Sequence, residues 1–362
     1  MPCRSTDISS VPATPTIAAL SWCRRPRKGR CSSTNSPVSL RSASVSRISA
    51  PIMAEARARP LTVRAVAPAR WLEPEVLDDF IALAAAQGGR VLTPAALSLR
   101  DHQLCGTDEE RAAALIAAFD DPEADILWCV RGGYGSARLL PYVHKALATG
   151  KIVIGYSDMT ALFVGTGADG PRAPFLAVHG PMPVDLLKPE GAARLVAAID
   201  MARTARDTGR WPGCDWRGGG VRAGQGRGRL IVGNLTVLLS LLGTPYEPQP
   251  REPVLLAIED CGEYHYALDR ALVQLAQSRF GKALAGIVLG DFTDLEDNPV
   301  PWGEGVAAMA HRHFPDLPIA HGFPVGHGLE NSPFALGAAA QLVVEGEAAH
   351  LTIADTPLPL AP

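Results

Sequence analysis

Charge and aromatic side chains are scarce in this chain: of its 362 residues, 20% are Asp, Glu, Lys or Arg and 6% are Phe, Trp or Tyr. No apolar run reaches the roughly 18 residues that a membrane-spanning helix needs. The seven cysteines include no Cys-x-x-Cys pair and no histidine at metal-ligand spacing, which argues against a zinc module and a disulfide-stapled scaffold. Cys129, inside Ile126-Leu-Trp-Cys-Val130, reads as a buried, inert thiol. Also missing are the Gly-Lys-Ser/Thr of a phosphate loop, the spacing of a dinucleotide fingerprint, and the Gly-x-Ser-x-Gly nucleophile turn. Nothing in these absences calls for a metal or a cofactor.

The charge that is present is unevenly placed. Residues 1–60 hold 10 Lys/Arg and 2 Asp/Glu, a net +8, while residues 61–362 hold 24 and 35, a net −11, which together make the formal −3. An acidic body has no general attraction for nucleic acid or anionic membrane, so a soluble cytoplasmic protein is expected. Residues 1–60, rich in Ser, Pro and Arg without a hydrophobic period, are expected to be disordered. Either a targeting or interaction tail or a reading frame extended upstream of a true start at Met53 accounts for them, and the composition of the whole chain favours the second.

From Leu61 the pattern alternates between short apolar runs and amphipathic segments, which predicts an α/β protein of two domains. Strands are expected at Leu61–Val66, Arg90–Leu92, Ile126–Val130, Lys151–Ile154 and Phe175–Val178, with helices at Pro74–Gln87, Asp108–Phe119 and Ser136–Leu147. This rhythm is that of a parallel sheet covered on both faces. A second series follows, with strands at Arg229–Val232, Val254–Ile258 and Leu284–Leu289 and a closing antiparallel pair at Gln341–Val344 and His350–Ile353. The expected division is an N-terminal domain over 61–185, a linker over 186–228 that is Gly-rich from Gly209 to Gly228, and a C-terminal α/β domain over 229–362. The ligand is expected in the cleft between the two.

Four segments could carry chemistry. Ser157, in Ile154-Gly-Tyr-Ser-Asp158, stands where a strand stops and a helix begins, the geometry of a nucleophile elbow; a helix cap at Ser157 or Asp158 is the plainer alternative. Glu259 ends an apolar strand at the sheet edge where active sites gather, with Asp260 and Glu263 as rivals. His327 lies in the glycine-flanked loop Gly322-Phe-Pro-Val-Gly-His-Gly-Leu-Glu-Asn331. Arg131-Gly-Gly-Tyr-Gly-Ser136 is a turn whose glycines could supply oxyanion donors, with Arg131 or Tyr134 facing a substrate carboxylate.

Together with Gly106-Thr-Asp-Glu-Glu-Arg111, Gly233-Asn-Leu235 and Gly243-Thr-Pro245, these stretches resemble, in order and over about residues 61–355, the LD-carboxypeptidase family of serine peptidases, which includes the microcin C self-immunity peptidases. The resemblance implies a triad of Ser157, Glu259 and His327, an N-terminal domain bearing the nucleophile, and a C-terminal domain bearing the acid and base. It implies an oxyanion hole from the backbone N–H of Asp158 and of Gly132 or Gly133, no metal, substrate contacts at Arg131, Tyr134 and Asn234, and a cytoplasmic homodimer. The implied reaction is release of the terminal D-Ala from a murein tetrapeptide. One departure is Val232-Gly-Asn234 where the family has Gly-Gly-Asn. Two other readings compete: a self-immunity peptidase that cleaves an aminoacyl-nucleotide conjugate, and a non-catalytic α/β ligand-binding protein, which a separation of Ser157 and His327 beyond about 8 Å would favour against hydrogen-bonded catalysis.

Overall fold

The computed structural model describes residues 60–143, 150–167 and 173–358. The Ser/Arg-rich head, Met53 and the end of the helix expected through Leu147 lie outside these residues.

The first half is built on β1 (Leu61–Val66), β2 (Gly89–Leu92), β3 (Ile126–Cys129), β4 (Ile152–Gly155) and β5 (Leu176–His179). They run parallel in the order β5-β4-β3-β1-β2. Every residue of β3, β4 and β5 is buried, which is why these strands read as unbroken apolar runs rather than alternating ones. Helices α1 (Pro74–Ala86), α2 (Asp108–Asp120), α3 (Leu140–Val143), α4 (Met159–Gly165) and α5 (Gly191–Thr208) accompany the sheet. The entry to α2 is a capping box: Thr107 Oγ1 accepts from Glu110 N, and Glu110 answers at Thr107 N.

The second half comprises β6 (Arg210–Trp211), β7 (Cys214–Arg222), β8 (Gly224–Asn234), β9 (Val254–Cys261), β10 (Leu284–Thr293), β11 (Ile319–His321), β12 (Phe334–Ala335), β13 (Ala339–Glu345), β14 (Ala348–Ile353) and β15 (Thr356–Pro357), with α6 (Leu235–Ser240), α7 (His265–Gln277) and α8 (Val306–His313). Seven of these strands close into a barrel in the order β10-β11-β7-β14-β13-β8-β9. One arc, β8-β9-β10-β11, is parallel and is crossed over by the three helices; the other is antiparallel. The expected pair at the end of the chain is β13 with β14.

The stretch 186–228, expected as a linker, is instead α5, β6, β7 and the start of β8. Its glycines hid the strand period while serving the barrel. A Cβ at Gly226 would stand 2.1 Å from Ala285 O, one at Gly228 2.2 Å from Pro253 O, and one at Gly218 2.4 Å from His321 O. Neighbouring backbone passes where side chains would otherwise project, so these strands close tightly only with glycine there. The two halves share a core: one cluster of buried residues runs from Leu61 and Trp128 to Val232, Phe334 and Leu351. Strand β12, on the chain of the second half, pairs antiparallel with β5 of the first, Phe334 opposite His179.

Candidate active site

Ser157 follows β4 and immediately precedes the first turn of α4, with φ of 63°. A non-glycine residue in the left-handed region costs about 1–2 kcal/mol, and such strain persists only where the surroundings impose it. The turn lifts the hydroxyl clear of the sheet. Gly132, after β3, lies against it: a Cβ on Gly132 would be 3.1 Å from Ser157 Cβ and 3.3 Å from Oγ.

Glu259 and His327 come from the barrel. Side chains alternate along β9, so Glu259 and Asp260 leave on opposite faces. Asp260 is buried and committed to the fold, accepting from Asn234 Nδ2 at 2.8 Å, Thr236 N at 2.9 Å and Thr236 Oγ1 at 2.7 Å. Glu259, fully buried, instead meets His327: its Oε2 is 2.6 Å from Nδ1. The other ring nitrogen, Nε2, is 3.0 Å from Ser157 Oγ. An ionised carboxylate only accepts, so Nδ1 carries the proton and Nε2 is left to accept from the serine hydroxyl. Gly326, at φ of 121°, makes the approach possible, since a Cβ there would be 2.7 Å from Glu259 Cβ and 2.8 Å from Oε2.

Burial opposes a charge on His327, but the Cys261 thiol and the Glu259 carboxylate beside it outweigh burial and raise its pKa above the ordinary 6.5. A protonated imidazole at His327 is therefore stabilised. His179, at the end of β5, is wholly buried, and burial pushes it down to about 3, so it stays neutral beneath the site.

A network that sequence reasoning missed holds the histidine from below. The Tyr156 ring lies 5.0 Å from that of His327, and its hydroxyl donates to Asp185 Oδ1 at 2.9 Å. Lys188 Nζ pairs with the same Asp185 oxygen at 3.0 Å and donates to His327 O at 3.1 Å. Tyr156 adjoins Ser157, a local signal that could have been read; Asp185 and Lys188 precede α5 without any.

The remaining expected residues fall in different places. Asp158 is buried, its carboxylate accepting from Ser136 N at 2.8 Å, and burial raises its pKa. Gly133, at φ of 104°, abuts the side chain of Arg70. Arg131 is paired with Glu73 at 3.2 Å, and Tyr134 is exposed. Asn234, expected as a substrate contact, is buried with its amide engaged at both ends: Oδ1 caps α6 by accepting from Val237 N at 3.0 Å, and Nδ2 donates to Asp260. Its part is to hold α6 and Asp260 rather than to stand open for a ligand. Among the described residues no group of three or more His, Cys, Asp or Glu is placed to hold a metal.

The family models described as the LD-carboxypeptidase N-terminal and C-terminal domains match residues 63–170 and 227–342. The chain belongs to the LD-carboxypeptidase family. The murein tetrapeptide carboxypeptidase of Pseudomonas aeruginosa is 31% identical over 299 residues, covering 78% of this chain and 93% of that protein. A carboxypeptidase-named protein of Synechocystis is 35% identical over 69% of this chain and 79% of its own length. Among solved structures, the muramoyltetrapeptide carboxypeptidase of Oxalobacter formigenes superposes with a TM-score of 0.71 at 25% identity, covering 82% of this chain and 99% of that one. The microcin C7 self immunity protein MccF shares the fold, with a TM-score of 0.67 at 18% identity over 85% of this chain and 100% of its own. In this chain the departure at Val232 lies in the packed core, and the next residue, Gly233, abuts α4, where a Cβ would be 2.5 Å from Thr160 Cγ2.

Proposed function

We propose that the protein is a serine LD-carboxypeptidase that removes the terminal D-Ala of murein tetrapeptides through an acyl-enzyme on Ser157. The observation that carries this reading is the relay Ser157–His327–Glu259, with contacts of 3.0 and 2.6 Å and the serine held in a left-handed turn. Its Ser157–His327 distance removes the separation that would have favoured a binding protein without catalysis.

His327 Nε2 takes the Ser157 proton as Oγ bonds the scissile carbonyl carbon, and Glu259 steadies the imidazolium. The N–H groups of Asp158 and of Gly132 or Gly133 receive the oxyanion; losing one such donor typically costs about 10²–10³ in rate. When the C–N bond breaks, His327 returns the proton to the departing amine of D-Ala, and a water activated by the same imidazole then hydrolyses the ester. The murein names of relatives that align over most of their length support this substrate class. A cytoplasmic homodimer belongs to the same proposal, and native mass measurement tests the dimer.

The test is D-Ala release, followed by mass spectrometry, from L-Ala-γ-D-Glu-meso-diaminopimelyl-D-Ala with wild type and Ser157→Ala. Release by wild type and its near-abolition in the variant are expected. A folded wild type that releases nothing contradicts the murein reading and turns the search to aminoacyl-nucleotide conjugates.

A further inference from the structure

Next to the turn that bears Gly132, two arginines lie near one carboxylate, and only one of them is paired with it. Arg131 follows β3 directly and its Nη1 lies 3.2 Å from Glu73 Oε2, at the start of α1. Arg70 comes from the loop after β1, and its side chain runs across Gly133: a Cβ there would be 2.3 Å from Arg70 Cδ and 3.6 Å from Nε. No ion pair or side-chain hydrogen bond is made by the Arg70 guanidinium among the described residues, and it is half-buried rather than free in solvent. Its pKa is lowered by burial and by Arg131, with Glu73, whose carboxylate is paired with Arg131, acting the other way. The pair plus Glu73 leaves one positive charge uncompensated, one residue along the turn from the Gly132 that touches Ser157.

The position of that charge matches what an exopeptidase must read. In a peptide with a free C-terminus, only the leaving residue's nitrogen and Cα separate the scissile carbonyl from the terminal carboxylate. With the carbonyl at Ser157 Oγ and its oxygen toward the Gly132–Gly133 turn, the leaving residue lies along the same wall. We propose that Arg70 binds the free carboxylate of the departing amino acid, while Arg131, held by Glu73, acts as a positioning residue that keeps the Arg70 charge without a partner until substrate arrives. Arg70 is then a specificity residue: it distinguishes an exopeptidase substrate from an internal or amidated peptide bond. Arg131, the expected carboxylate contact, becomes its support. This inference rests on the carboxypeptidase reading above, and the direction of the substrate along the cleft is part of it.

Two measurements test it separately from that reading. In the Ser157→Ala background, which cannot turn over, calorimetry compares binding of the tetrapeptide ending in D-Ala with the same peptide ending in D-alaninamide. A preference for the acid of about 10- to 100-fold is expected, the usual worth of a charge-assisted contact. Adding Arg70→Ala should bring acid and amide to within about twofold, and Arg70→Lys should restore part of the preference. In the active enzyme, Arg70→Ala should raise KM for the acid more than it lowers kcat, a split that general loss of folding does not produce. Equal binding of acid and amide to Ser157→Ala, or a preference that survives Arg70→Ala, overturns the assignment of Arg70. Absence of turnover by wild type with the acid preference intact overturns the carboxypeptidase reading while leaving the carboxylate site in place.

Discussion

The two halves of the molecule place their reactive groups by different means. In the first, Ser157 is set by the chain beside it: a buried parallel strand ends, the backbone turns left-handed, and a helix starts. In the second, Glu259 and His327 are 68 residues apart and meet because a barrel closes and Gly326 leaves room between them. A local device sets the proposed nucleophile, and a non-local one sets the proposed base. The turn at Ser157 lies within one stretch of chain, whereas the pairing at His327 depends on β9 and the loop after β11 meeting, with Gly326 leaving room for the approach.

That contrast can be broken from either side. The largest effect is expected at the relay itself: Glu259→Gln should lower kcat/KM by about 10³–10⁴. It should also move the acid limb of the pH profile. His327 must be neutral to accept the serine proton, and the carboxylate raises its pKa, so activity is lost as pH falls through that raised value. Without the charge the pKa drops and the limb shifts to lower pH; a limb that stays put under kcat/KM titration would contradict the coupling.

Next comes the barrel. Gly226→Ala forces a Cβ to 2.1 Å from Ala285 O and should cost about 2–4 kcal/mol, visible as a lowered urea midpoint with kcat of the folded fraction retained. Gly326→Ala should combine both penalties, because its Cβ would meet Glu259 and its φ of 121° disfavours any side chain. A smaller effect is expected at Lys188, whose contacts reach His327 only through its backbone carbonyl: Lys188→Met should reduce kcat about tenfold with little change in KM. The smallest, and opposite in sign, is expected on the local side. Ser157→Gly relieves the left-handed strain and should raise stability by about 1 kcal/mol by denaturant titration while abolishing activity.

The same contrast sets how much was legible beforehand. Most of the first sheet could be read because β1, β3, β4 and β5 are buried apolar runs and because α1 and α2 carry start signals at Pro74 and Thr107, whereas α5 has no side-chain cap and fell in the expected linker. The elbow at Ser157 was visible for the same reason. In the barrel, β9, β10, the pair β13–β14 and the end of β8 were legible as strands, but β7 and the start of β8 were not: their glycines erase the alternation by which strands are recognised, so residues from Gly209 to Gly228 suggested a linker. Glu259 could be preferred over Asp260 only through family resemblance, since nothing in Ile258-Glu-Asp260 shows which face of β9 looks toward His327. The reverse error arose at Asn234, where the amide belongs to a helix cap and to Asp260. Arg70 and Lys188 left no trace in the sequence, because their meaning comes from Gly133 and His327, residues distant along the chain.

The most direct test of the central claim, that groups from both halves act as one catalytic unit, is a double-mutant cycle on D-Ala release with Ser157→Ala, His327→Ala and the double variant. Residues that work as a unit are strongly non-additive. The expected result is that the double variant loses no more kcat/KM than either single variant, within about twofold. Losses that multiply would show the serine and the histidine acting independently and would contradict the account.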